Sequence, residues 1–362
     1  MMIYLFYFSF TFVVSVIVTF LVAMFMRKFG IIDKVSKEKR KIHKRPIALG
    51  GGLAIFFSFF LSVFLAWIFG DNFYYDIVFR NLLGLFLGSL FLVVGGILDD
   101  KYVLKPKIQI LFPVLAAMTI IFSGIGPHII SNPFGGVIHL DFWQINFGNF
   151  GKLVVLADVL VFFWLMGMMF TTKFLDGLDG LVSGIVFIGA CVLFFFSLQT
   201  NWFQPDVALL SIILAAAVLG FLVWNWFPAK IFLGEGGSLL TGFLLGTLAI
   251  ISGSKIAITL LVMAIPILDV ARVIWARFKK GHPIYLGDRE HLHFRLLDTG
   301  LSQKQAVLLF YAISLLFGLS ALFLQSSQKF LALILLFVIM ILLVIWFGKK
   351  KSGMRNLPKE VK

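Results

Sequence analysis

Cysteine is nearly missing from this chain of 362 residues: the single thiol, Cys191, lies inside an apolar run. One thiol excludes an internal disulfide and a thiolate metal cluster. Charge is scarce as well. Only 13% of the residues are Asp, Glu, Lys or Arg, where soluble domains carry about a quarter. With 60% hydrophobic residues and a mean hydropathy of +1.03, polar surface is too sparse to cover a water-soluble fold of this length. Strict apolar–polar alternation is absent too, which excludes an outer-membrane barrel. The first apolar run, 1–26, lacks a basic leading segment and a small-residue cleavage site. It reads as a retained span and not as a signal peptide. There is no internal repeat and no segment with the composition of a soluble domain.

What is present is a series of continuous apolar runs. They predict an all-α polytopic membrane protein with about eleven transmembrane helices. These fall near 2–26, 50–69, 80–98, 108–124, 152–171, 179–198, 206–225, 236–252, 255–275, 303–324 and 329–348. Residues 1–348 form one integral-membrane domain, and 349–362 a basic tail. Within 126–150, alternation over Val137–Ile145 follows the turn-like Asn132-Pro-Phe-Gly-Gly136, which predicts a small outer hairpin.

The net charge of +14 is unevenly spread. Arg27 to Arg45, Asp99 to Lys107, Lys173, Lys230, Arg277 to Arg295 and Lys349 to Lys351 fall in one set of loops. The other set (70–79, 125–151, 199–205, 253–254, 325–328) is nearly free of Lys and Arg. The positive-inside rule puts the N-terminus outside and the C-terminus in the cytoplasm. No nucleic-acid motif accompanies the charge, so it reads as topology and lipid-headgroup contact. This topology brings Asp99, Asp100, Asp176, Asp179, Glu235, His291 and His293 to the cytoplasmic face, from four loops.

The segment Phe174-Leu-Asp-Gly-Leu-Asp-Gly-Leu-Val-Ser-Gly184 spaces Asp176 and Asp179 three apart. On a helix both carboxylates would share one face and would require a cation or a donor between them. The alternative is an N-cap with a first-turn acid. Asp99 and Asp100 end the third span, where the helix dipole disfavours negative charge, so a purely structural role is not expected there. Lys101, Lys105 and Lys107 read as inside anchors or phosphate partners. Asn225 to Ser238 (NWFPAKIFLGEGGS) joins a helix end to a helix start. Gly236, Gly237 and Ser238 offer backbone N–H groups to an anion, with Glu235 beside them. An acid next to a phosphate nest suits Mg²⁺, a hard ion held by one or two carboxylates and substrate phosphates. His291 and His293 with Arg289 and Arg295 suit a diphosphate better than zinc, since no further zinc ligand is evident. His43 and Arg45 add a second basic element ahead of Gly50-Gly-Gly52. The inventory suggests phosphoryl chemistry on a lipid-embedded substrate. Asp269 in span nine is a functional candidate or a partner for Arg272 or Arg277.

Taken together, these residues resemble the polyprenyl-phosphate N-acetylhexosamine-1-phosphate transferase family, roughly from His43 to Ala306. The segments that carry it are His43–Ile55, the Asp99-Asp100 pair with Pro106-Lys107, Asp176–Leu181, Asn225–Ser238 and His291–Leu297. The His291-Leu-His-Phe-Arg295 loop is similar to the bacterial undecaprenyl-phosphate GlcNAc-1-phosphate transferase branch. It is less like the phospho-MurNAc-pentapeptide transferase branch, which has three successive histidines. The resemblance implies that undecaprenyl phosphate attacks the sugar-linked phosphorus of a UDP-N-acetylhexosamine and releases UMP, in the bacterial cytoplasmic membrane. It implies Mg²⁺, with Mn²⁺ as a substitute, held by Glu235 with Asp99. Asp99 and Asp100 would lie near the lipid phosphate, Asp176 and Asp179 near the nucleotide diphosphate, with His291 and His293 in the catalytic set. His43, Arg45, Lys107, Lys173, Asn225, Lys230, Gly236, Gly237, Ser238 and Arg295 would bind substrate. A homodimer is compatible with the sequence.

The chain departs from that pattern at three positions. Glu235 stands where Asp is usual, Lys173 where Asn is common, and Phe294 replaces the second of two adjacent histidines. A catalytically silent lipid-binding relative is therefore a rival reading. A secondary transporter is another, but it should show midplane groups on broken helices and a repeat.

Overall fold

A computed structural model describes residues 1–35, 45–69, 77–127, 129–132, 135–146, 152–200, 203–251, 256–279, 281, 290–324, 327–338 and 342. His43, Arg289, the tail 349–362 and most of the C-terminal half of the expected last span lie outside them. The helices are α1 (Met2–Lys28), α2 (Gly51–Phe69), α3 (Phe79–Tyr102), α4 (Pro106–Gln109), α5 (Leu111–Phe122), α6 (Val155–Leu175) and α7 (Leu181–Ser197). They continue as α8 (Pro205–Asn225), α9 (Gly234–Ile251), α10 (Ile256–Val262), α11 (Ala264–Lys279), α12 (Leu292–Asp298), α13 (Gln303–Phe323) and α14 (Ser327–Val338). Short strands are β1 (Ile32–Asp33), β2 (Ile47–Ala48), β3 (Ile129–Ser131), β4 (Val137–His139), β5 (Gln144–Asn146) and β6 (Lys152–Val154).

All eleven expected positions carry an apolar helix, but they are not alike. Seven described helices are long and apolar enough to cross a membrane, and α10 with α11, bent by 76° at their junction, makes up to eight. The helices at Pro106–Phe122, Leu181–Ser197 and Ser327–Val338 are shorter. Continuous hydropathy does not register a bend or an early helix end, which is why the sequence counts them all as full spans.

Burial orders the bundle. The apolar windows of α8 and α9 are 78% and 83% buried, against 28% in α1 and 33% in α13. Thus α8 and α9 are the centre, and the outer helices turn Phe20, Phe57, Phe64 and Leu316 outward, the surface lipid would cover. Around the centre, α1 and α7 lie against α8, while α3 and α6 lie against α9.

The segment leading into α9 is tied to β2 and α2 by backbone hydrogen bonds. The Phe232 N–H donates to Ala48 O, and the N–H groups of Gly51 and Gly52 donate to Phe232 O and Leu233 O. These bonds supply partners for the first N–H groups of α2. A Cβ on Gly52 would collide with the Gly237 backbone, and one on Gly96 with the Gly236 backbone. Three helices therefore touch glycine to glycine, closer than any side chain permits.

At the opposite loops, β3 pairs with β4 and β5 with β6, both antiparallel. Asp158, in the first turn of α6, accepts from the Val154 N–H at 2.8 Å and so ties the end of β6 to the start of that helix.

Candidate active site

Three chain segments deliver the acids. Asp99 and Asp100 end α3, Asp176 and Asp179 lie between α6 and α7, and Glu235 is in the first turn of α9. The helical spacing expected for Asp176 and Asp179 is not what forms. α6 stops at Leu175, α7 starts at Leu181, and Gly180 adopts φ 79°, so the acids sit on a turn that glycine allows.

Four of the five acids have a defined partner. Asp100 Oδ1 accepts the Glu235 N–H at 3.1 Å, so its carboxylate covers the positive end of α9. A Cβ on Gly234 would strike the other Asp100 oxygen, and Gly234 has φ 74°. Asp99 is buried, and its Oδ1 accepts from the Leu104 N–H at 2.7 Å and from Gln109 Nε2 at 3.0 Å. The chain turns back at Val103, in the left-handed region at φ 51°, and so supplies Asp99 with these donors at the unfavourable end of the helix dipole. Asp179 Oδ2 accepts the Ala229 N–H at 2.9 Å. Lys173 Nζ lies 2.7 Å from Glu235 Oε2. Asp99, Gln109, Lys173 and Glu235 line one cleft. Asp176 is reached by solvent, yet protein surrounds it; desolvation, then the like charges of Glu235, Asp179 and Asp100, push its carboxyl up to about 8.

Histidines close the site from another side. Asp269 is buried in α11; its Oδ2 lies 3.0 Å from His291 Nδ1 and accepts the Leu292 N–H at 3.0 Å. Its Oδ1 accepts from Arg272 at 2.8 Å. The reading of Asp269 as the partner of Arg272 is realised, and the same carboxylate also meets a histidine. Arg272 and Arg295 also donate to Glu290 O, at 2.6 and 3.0 Å, and so shape the chain before His291. His293 stacks on His291 with ring centroids 5.6 Å apart, and is 1% exposed. Neither of its ring nitrogens has a hydrogen-bond partner among the described residues. A Cβ on Gly177 would strike His293 Nε2, so the glycine beside Asp176 admits the ring. Burial, then the charge of His291, pulls His293 down to about 3, against the opposing pull of Asp269.

The residues expected to bind substrate divide into several groups. Asn225 is buried and its amide is committed: Oδ1 accepts from the Gly180 N–H and Ser183 Oγ, and Nδ2 donates to Ile231 O. It ties the Asp179 turn to the segment before α9. Gly236 and Gly237 are packed against α3 and α2, and Ser238 Oγ donates within its own helix, to Glu235 O at 3.0 Å. The glycines that open α9 therefore also serve helix contact. Lys230 Nζ lies over the Trp224 ring at 4.8 Å. Arg45 and Lys107 are exposed. Sequence reasoning missed Gln109, whose signal was a lone amide in a short apolar helix, and Tyr311, which donates to Gly180 O from α13.

Among the described residues no three His, Cys, Asp or Glu side chains converge as a metal cage. Donor chemistry nevertheless fits a hard divalent ion. Glu235 and Asp99 supply carboxylate oxygens to the same cleft, and the neighbouring acids carry excess negative charge.

Comparison with known proteins identifies the family. The family model of Glycosyl transferase family 4 matches residues 82–253. The chain is 30% identical over 336 residues to the probable undecaprenyl-phosphate N-acetylglucosaminyl 1-phosphate transferase of Bacillus subtilis, covering 91% of this chain and 87% of that protein. It is 27% identical over 304 residues to the decaprenyl-phosphate N-acetylglucosaminephosphotransferase of Mycobacterium leprae, covering 76% and 72%. It is 28% identical over 326 residues to the phospho-N-acetylmuramoyl-pentapeptide-transferase of Halalkalibacterium halodurans, covering 87% and 95%.

Proposed function

Because the chain belongs to glycosyl transferase family 4, we propose that it transfers N-acetylhexosamine-1-phosphate from a UDP-sugar to undecaprenyl phosphate. GlcNAc-1-phosphate is the group proposed. The observation that carries the reading is the similarity across 91% of the chain to a relative whose name states this transfer. The convergence of five carboxylates and two histidines from separate elements supports it.

In the proposed reaction an oxygen of the lipid phosphate attacks the sugar-linked phosphorus. The bond from that phosphorus to the UMP oxygen breaks, and UMP leaves with the electron pair. A phosphate monoester has a second pKa near 6, so the attacking group is already largely dianionic at pH 7. Asp99 and Asp100 accordingly position and need not abstract a proton. Mg²⁺, or Mn²⁺, held by Glu235 with Asp99, would supply charge neutralisation at the diphosphate. Asp179 and Asn225 hold the turn that presents Asp176. A carboxylate only accepts, so Asp269 takes the His291 Nδ1–H and leaves Nε2 as the nitrogen that can meet substrate.

The proposed setting is a bacterial cytoplasmic membrane crossed about eleven times, with the N-terminus outside, the tail inside, the loop with β3 to β6 outside and the acids at the cytoplasmic face. The asymmetry of Lys and Arg between the two loop sets supports it.

The test is UMP release by purified protein given undecaprenyl phosphate, UDP-GlcNAc and Mg²⁺, with EDTA and lipid-free controls. Release that requires both lipid and metal is expected. Activity with another UDP-sugar alone would change the donor, and silence across a donor panel would overturn the reading.

A further inference from the structure

Lys173 and Glu235 come from different helices and meet in the cleft lined by Asp99. Lys173 is in the last turn of α6 and Glu235 in the first turn of α9, two helices that lie side by side. Each charge already suits its own helix end: a cation at a C-terminus, an anion at an N-terminus. Neither therefore requires the other to be tolerated. Their side chains are 18% and 41% exposed, although the paired oxygen itself is buried, and a single partly exposed ion pair contributes little to stability. The pairing thus asks for a reason other than fold stability.

Its chemical effect is specific. A carboxylate oxygen 2.7 Å from an ammonium is already neutralised and partly blocked as a ligand. A divalent ion entering there must push aside a unit positive charge, whose field also reaches Asp99 and Asp100. The lysine stem has four flexible carbons and can swing its charge elsewhere. Resting on the reading of the site as a metal-dependent sugar-phosphate transferase, we propose that Lys173 is a built-in competitor for the cation site at Glu235. The ammonium holds the carboxylate in the empty enzyme and yields to a divalent ion that arrives with the nucleotide diphosphate, to which Lys173 then turns. Free metal would bind weakly, and metal with nucleotide would bind well.

The experiment titrates Mn²⁺ alone, by electron paramagnetic resonance, into purified full-length protein in lipid nanodiscs, with monodispersity checked for every variant. Removing one positive charge at this distance should tighten Mn²⁺ binding about tenfold in Lys173→Gln. That gain should vanish in the Lys173→Gln/Glu235→Gln double variant, because the competitor acts through Glu235. Lys173→Arg keeps the charge and should stay close to the parent. Unchanged or weaker binding in Lys173→Gln would overturn the proposal. So would an equal gain without Glu235, or no Mn²⁺ binding by any folded variant. Transfer is not read out, so a failed UMP assay would remove the proposed reaction and leave this result standing.

Discussion

Asp269 Oδ2 lies 3.0 Å from both His291 Nδ1 and the Leu292 backbone nitrogen, so one carboxylate oxygen sets a ring and the start of α12 together. In the proposed reaction it would act on substrate through His291, as a positioning residue. Asp269→Asn should lower kcat on the order of 10²-fold, the scale of an ångström-sized misplacement. The KM for UDP-sugar should change far less. Steady-state kinetics check this, and a loss confined to KM would contradict it.

His293 bears on acid stability. Its ring is buried without hydrogen bonds among the described residues and its pKa is lowered from 6.5 to about 3. Between those values the unfolded chain binds a proton that the folded chain refuses. Stability from this group is therefore complete above about pH 6.5 and declines as the pH falls toward 3. His293→Gln should flatten the fall of the melting temperature between pH 7 and pH 5. Parallel pH profiles for parent and variant would sink the idea.

Asp100 joins a charge to a cap. Asn can still accept the Glu235 N–H, whereas Ala cannot. Asp100→Asn should lower the rate yet keep its alkaline plateau, because the lipid phosphate supplies its own charge. Asp100→Ala should also lower the melting temperature, in line with about 1 kcal/mol for a lost cap. A rate for Asp100→Asn that climbs log-linearly with pH would instead assign Asp100 as the base.

Glu235→Gln should abolish metal-dependent UMP release. Glu235→Asp withdraws the carboxylate by about a bond length from Lys173 and from the cleft, and should be impaired on the order of 10-fold to 10²-fold. Mg²⁺ titrations of UMP release test both. An active Gln variant would remove Glu235 from the metal.

The glycine contact gives a stability contrast. Gly96→Ala places a Cβ on the Gly236 backbone, which has no side chain to yield, and overpacking of this kind costs about 1–3 kcal/mol. Gly167→Ala, in α6, meets nothing within 4 Å and should be neutral or stabilising by up to about 1 kcal/mol. Melting temperatures and monodisperse yield decide the comparison.

The sequence exposed the helical bundle and the identity of the acids, because hydropathy and charge sign are local properties. It did not reveal the packing of Gly236 and Gly237 against other helices, since a glycine that admits a ligand and one that admits another helix look the same in one dimension. It took the Asp176–Asp179 spacing for a helix face, although Gly180 favours a turn just as well. The partners of Asp99 were not legible because Gln109 reaches it across the reversal at Val103. Departures at Lys173 and Glu235 were visible as separate oddities; their 2.7 Å contact across two helices was not.

The contact of Gly52 with Gly237 and of Gly96 with Gly236 also acts as a gauge block. Backbone touching backbone leaves no rotamer to adjust, so the interval between the end of α3 and the start of α9 is fixed by covalent geometry. Diversification of this site is then confined to the tips beyond the gauge. A longer acid or a charged neighbour can change there while the frame beneath cannot follow, and a change at one tip must be answered at another.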